Sequence, residues 1–142
     1  TGIIKIVNYV IVDDFGVTLN PLLLAGQVHG GAMQGIGQAL MEQAVYSATD
    51  GQLVTGTFMD YAVPRASDGP SFHFETHNVP CTTNPLGVKG AGEAGAIGSC
   101  PAVVNAIIEG LWREYKIDHI DMPATAERVW IAIREAQKRH NL

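Results

Sequence analysis

"NPLGVKGAGEAGAIGSCP", residues 84–101, sets five glycines around one charged pair, Lys89 and Glu93, and then runs into an apolar segment. Its reading decides the fold. As a phosphate-cradling loop it would make the chain a doubly wound dinucleotide fold; as a hinge, or as a frame for one carboxylate, it would not. Residues 90–95, "GAGEAG", match the pattern G-x-G-x-x-G. That fingerprint must follow a buried strand, open a helix directly, and meet an acidic residue about 20 positions later at a strand end. Pro85 and Gly87 interrupt any strand before the loop, and Glu114, at the right distance, falls inside a predicted helix. The dinucleotide reading fails on that context. What remains is Glu93, held between glycines. A desolvated carboxylate suits general acid or base work near neutral pH, whereas a surface turn would leave it in solvent. Spacing alone favours the surface turn.

Outward from the loop, the pattern is mixed α and β. Residues 3–13, "IIKIVNYVIVD", are β-branched and aromatic and predict a strand, followed by a turn at "DDFG". Residues 25–46 predict a helix with Val28, Met33, Ile36, Leu40 and Met41 on one face, interrupted by Gly26, Gly30, Gly31, Gly35 and Gly37. Each such glycine costs close to 1 kcal/mol against Ala. Tight packing against another backbone explains them, and so does close approach of a ligand; the sequence leaves both open. Asp50-Gly51 marks a turn, residues 53–63 predict a strand ended by Pro64, and residues 71–79 alternate, with Phe72 and Phe74 on one face and His73, Glu75 and His77 on the other. A helix is expected over Pro101–Tyr115 with Ser99 as N-cap, and a last helix over Ala126–Lys138 with Thr125 as N-cap. Trp112 and Trp130 fall at helical positions and read as core. The class is α+β: short mixed strands, a Gly-rich helix and two C-terminal helices.

Composition narrows the function classes. Of 142 residues, 46% are hydrophobic and 16% charged, with mean hydropathy +0.11, which is the profile of a folded chain. Net charge of −5 and a pI near 5.4 argue against nucleic-acid binding, which needs clustered Lys and Arg. The basic-leaning run 134–140, "REAQKRH", suits a helix C-terminus. No apolar run approaches the roughly 20 residues that span a bilayer, and no signal-peptide pattern is visible. Cys81 and Cys100 lack any C-x-x-C partner, so a reduced, cytoplasmic setting is the default. The opening Thr1-Gly2-Ile3, with no initiator Met, and the load of sixteen glycines suggest a piece of a larger protein.

His73, Glu75 and His77 could offer three metal ligands on one strand face, yet any half-exposed strand shows such alternation. His29, in the Gly-rich helix, reads as a hydrogen-bonded packing residue.

Three stretches then carry a family likeness: "QVHGGAMQGIGQALMEQ" (27–43), "GTFMDYAVPRA" (56–66) and "NPLGVKGAGEAGAIGSCPAVVNAI" (84–107). In this order they resemble the C-terminal part of the large subunit of the molybdenum hydroxylases, a family that includes xanthine dehydrogenase, aldehyde oxidoreductase and aerobic carbon monoxide dehydrogenase. The likeness runs from "IVNYVIVDDFGVTLNP" to "HIDMPATAERVW". It implies that residues 1–142 are a single C-terminal segment of a molybdopterin-binding domain within a longer subunit. It also implies a molybdenum–pyranopterin cofactor, in molybdopterin or cytosine-dinucleotide form, with 2Fe-2S clusters and FAD on partner subunits or domains. The reaction implied is hydroxylation of an aldehyde, an N-heterocycle or carbon monoxide with oxygen from water. Glu93 matches the family's catalytic Glu, implying a base at the molybdenum centre. Gln34, Gly35 and Gly37 match its Q-G-x-G motif and imply cofactor binding, as do Gly90 and Gly92. Lys89 is given an orienting or electrostatic role beside the cofactor. Because the pterin dithiolene holds the metal, no protein ligand set is required, and the isolated chain is expected to be inactive. A different class, a non-catalytic assembly module that keeps the same fold, is the alternative. A small nicotinamide-binding protein would have to bind NAD by itself, and none is expected.

Overall fold

The computed structural model describes residues 1–140. Its elements are β1 (Tyr9–Asp13), α1 (Pro21–Leu40), β2 (Phe72–Thr76), α2 (Ala94–Tyr115) and α3 (Ala126–His140). β1 and β2 pair in parallel, Tyr9 opposite Phe72 through Asp13 opposite Thr76. The α+β reading holds, with fewer strands than the sequence suggests. Residues 3–8 lie outside any strand, because β2 is only five residues long and gives them no partner. Residues 53–63 are not a strand either: they form turns beyond the isolated Tyr46–Leu53 bridge, and Phe58 and Met59 stand in solvent.

α1 starts earlier than its apolar period predicts, because Asn20 and Pro21 are its true start signal. The Asn20 side chain accepts from the Leu23 amide, and Pro21 occupies the first turn, where a missing N–H costs nothing. The helix stops at Leu40, and the amides of Met41 and Glu42 both close onto the Gly37 carbonyl.

α2 begins at Ala94, seven residues before the expected start. The Glu93 carbonyl accepts from Ala96 and Ile97, so the loop runs straight into the helix and Pro101 lies inside it. Ser99 is therefore no N-cap. It is buried, and its hydroxyl donates to the Ala32 carbonyl of α1 at 2.7 Å. The full 22-residue α2 is long and apolar enough to cross a membrane by length and composition, which corrects the expectation of no such run. Its stripe of Gly95, Ser99, Val103, Ile107 and Leu111 is buried in the protein core instead.

The α1–α2 crossing is built on glycines. A Cβ at Gly35 would stand 2.5 Å from the Ser99 Cβ, and one at Gly95 would stand 2.3 Å from the Val28 carbonyl oxygen. Absence of side chains lets the backbones approach this closely. Around the crossing, Val28 and Ile36 are fully enclosed, and Val129 of α3 nearly so, each stabilising the fold by roughly 1.5–3 kcal/mol. α3 begins as predicted, with the Thr125 hydroxyl accepting from the Arg128 amide. Trp112 and Trp130 are half-exposed rather than core; the Trp112 ring faces the Lys116 ammonium at 5.4 Å.

Candidate functional site

The loop opens with a closed turn. The Asn84 side chain donates to the Val88 carbonyl and accepts from its amide, and Gly87 adopts φ +67, a conformation that glycine takes without strain. The Gly87 carbonyl accepts from Val17 and Cys81, binding the turn to the segment after β1. Lys89 continues this attachment: its amide donates to the Phe15 carbonyl, and its ammonium pairs with Asp14. Asp14 also accepts from the amides of Gly16 and Val79, and these contacts, the Lys89 bond foremost, hold its carboxyl down to about 2.

From this frame the chain crosses Gly90, Ala91 and Gly92 to Glu93, which stands at the head of α2 in the αR conformation with no side-chain capping bond. The head of a helix is where the backbone dipole favours negative charge. Glu93 is exposed, so this chain provides a carboxylate on a structured loop but not the burial that would exclude water. A Cβ at either Gly90 or Gly92 would meet nothing within 4 Å, so their backbone lies bare beside Glu93.

α1 passes close by. The Gln27 amide donates to the Gly92 carbonyl at 2.9 Å. Gly26, Gly30 and Gln34, spaced by four, share one exposed helix stripe next to Gln27, and Cβ atoms at Gly26 and Gly30 would also meet open space. The glycines of α1 thus divide. Gly31 and Gly35 pack against α2, and Gly37 against Glu42 and Pro64. At Gly35 and Gly37, which the family likeness assigns to the cofactor, protein fills the space a side chain would take. Gly26 and Gly30 are the bare positions, and Gln34 projects from the same exposed stripe.

Other candidates fall away from this place. His73 pairs with Glu75 on the exposed face of β2, and no group of three potential metal ligands occurs among the described residues. His29 stacks on Phe72 with ring centroids 5.1 Å apart, but its buried Nε2 has no hydrogen-bond partner, contrary to the expectation of a satisfied packing histidine. Cys81 and Cys100 are both free.

Two residues of the site escaped the sequence reading, Gln27 and Asp14. Their partners lie 65 and 75 positions away, beyond any local pattern. The one available signal was the Asn20-Pro21 helix start, which places Gln27 and Gln34 two turns apart on α1.

The donor set suits a cofactor whose metal is held by its own ligands. It offers bare backbone at four glycines, side-chain amides and one free carboxylate. Comparison with known proteins points the same way. Residues 1–70 match the molybdopterin cofactor-binding domain family. The chain is 37% identical over its whole length to the carbon monoxide dehydrogenase large chain of Hydrogenophaga pseudoflava, covering 17% of that protein. It is 38% identical over 91% of its length to the nicotine 6-hydroxylase large subunit of Paenarthrobacter nicotinovorans, covering 16% of it. The fold superimposes on quinoline 2-oxidoreductase from Pseudomonas putida 86 with a TM-score of 0.84, at 37% identity, over 92% of this chain and 16% of that one. The chain therefore spans about a sixth of the length of the relatives it matches.

Proposed function

The chain belongs to the molybdenum hydroxylase family, as a segment of the large molybdopterin-binding subunit, and from that premise we propose that it forms one wall of the active site of a complete enzyme, with Glu93 as the general base. The observation that carries this is the position of Glu93: an uncapped carboxylate heading α2, between the bare backbone of Gly90 and Gly92 and the open stripe of α1. The Gln34 amide and the backbone at Gly26, Gly30, Gly90 and Gly92 would hold the cofactor from this side.

When bound, the molybdenum–pyranopterin supplies the two-electron oxidation and delivery of water-derived oxygen to the substrate carbon. Glu93 would take up a proton on a carboxylate oxygen as the general base. A base aligned on its proton contributes typically 10²–10⁴-fold to the rate. Lys89 acts at one remove: paired to Asp14, it fixes the frame that precedes Glu93. Water exclusion comes from the remainder of the large subunit, which closes over the exposed carboxylate.

The names of relatives span carbon monoxide, nicotine, quinoline and aldehyde, which supports a substrate among aldehydes, N-heterocycles or carbon monoxide. The partners are the rest of the large subunit and the iron–sulfur and FAD subunits or domains; the setting is cytoplasmic. The test is Glu93→Gln in the complete enzyme, with turnover and molybdenum content measured together. Turnover should fall by about 10²–10⁴-fold at unchanged molybdenum content. Near-normal turnover would exclude Glu93 as the base.

A further inference from the structure

We propose that Gln27 is a positioning residue for Glu93, holding the peptide plane that leads into it; this rests on the reading of Glu93 as the base. Residues 90–92 are a short span between two firm supports. Upstream, Lys89 is bound through its amide to Phe15 and through its ammonium to Asp14. Downstream, the Glu93 carbonyl is already part of α2. Within the span, two of three residues are glycines with open space around them, so side-chain packing does not fix the backbone. Among the described residues, one hydrogen bond reaches the backbone of the span: Gln27 Nε2 to the Gly92 carbonyl, 2.9 Å.

That carbonyl belongs to the same planar peptide unit as the Glu93 amide. Holding it restrains rotation into Glu93, whose φ of −104° lies at the edge of the helical range. The Glu93 side chain has no capping bond to orient it, so the direction of its carboxylate follows the backbone. Gln27 is also part of the helix that carries the bare stripe of Gly26, Gly30 and Gln34. The same bond therefore sets the spacing between the base and the α1 wall. An amide is needed for this. A carboxylate at position 27 would have no proton to give and would place its oxygens against the Gly92 carbonyl.

The experiment uses the complete molybdenum-loaded enzyme carrying Gln27→Ala, Gln27→Glu, Glu93→Gln, or Gln27→Ala with Glu93→Gln. Displacement of a catalytic group by an ångström costs up to about 10²-fold, so kcat in both Gln27 variants should fall about 10- to 100-fold. KM should stay within about two-fold and molybdenum content should be unchanged, as expected when only a transition-state contact is weakened. Hydrogen exchange by mass spectrometry should be faster at the amides of residues 90–93, a change readable without turnover. The double variant should be no slower than Glu93→Gln alone, because both changes remove one function. If Glu93→Gln is inactive while Gln27→Ala keeps kcat within about two-fold, the positioning role is wrong and the base assignment stands. Multiplicative loss in the double variant, or loss of molybdenum in Gln27→Ala, also overturns positioning. Full activity in Glu93→Gln overturns both.

Discussion

The Lys89 ammonium is paired with the carboxylate of Asp14, 75 positions upstream, and not with Glu93 four residues on. The charge that the sequence places beside the candidate base is therefore engaged in joining the loop to the end of β1. Asp14 completes the joint through the amides of Gly16 and Val79.

Folding lowers the Asp14 carboxyl from 3.8 to about 2, with the Lys89 hydrogen bond as the first cause. The sign follows from linkage: a depressed carboxyl contributes its stabilisation above its unfolded value, and that contribution is lost as pH falls through the folded one. The joint should hold from neutral pH down to about 4 and open between about 4 and 2. Hydrogen exchange over residues 84–92 of the complete subunit, corrected for intrinsic rates, checks this. Protection should be constant from neutral pH down to about 4 and then fall; in Asp14→Asn it should be low throughout. Unchanged protection in Asp14→Asn would contradict the joint.

The two kinds of glycine on α1 predict substitutions of opposite sign. Gly35→Ala drives a methyl to 2.5 Å from the Ser99 Cβ and should destabilise by about 1–3 kcal/mol. Gly30→Ala meets nothing within 4 Å and should stabilise α1 by up to about 1 kcal/mol. If the cofactor lies over this stripe, Gly30→Ala also lowers the molybdenum bound per subunit. Denaturant midpoints and metal analysis on the complete subunit read both effects.

Ser99 is 1% exposed and its hydroxyl bonds the Ala32 carbonyl across the helix crossing. Ser99→Ala should cost about 0.5–1.5 kcal/mol, the net worth of a neutral hydrogen bond. Ser99→Val should cost more, because its extra methyls enter space already shared with Gly35. The same denaturant midpoints decide, and a stabilising Ser99→Ala would contradict the role given to the hydroxyl.

Local chemistry was legible where it acts locally. The Thr125 cap, the Asp50-Gly51 turn and the inward Phe72 and Phe74 all follow from residue type and period. Composition predicts more strands than form because pairing is not a local property: among the described residues, 3–8 have no ladder partner and 53–63 none beyond the Tyr46–Leu53 bridge. Pro101 reads as a boundary for α2, whereas Gly95 ahead of it packs against α1 and the helix already starts at Ala94. Glu93 is a candidate through the likeness of its motif, while Gln27 and Asp14 depend on contacts across the fold that no spacing encodes.

The most direct measurement is a crystal structure of the complete enzyme with molybdenum located by its anomalous scattering. The account predicts that the metal lies on the face shared by Glu93, Gly90 and the Gln34 stripe of α1, with a Glu93 carboxylate oxygen within about 3 Å of an atom bound to it, the reach of a working base. A metal peak on another face, with Glu93 left in solvent, would contradict it.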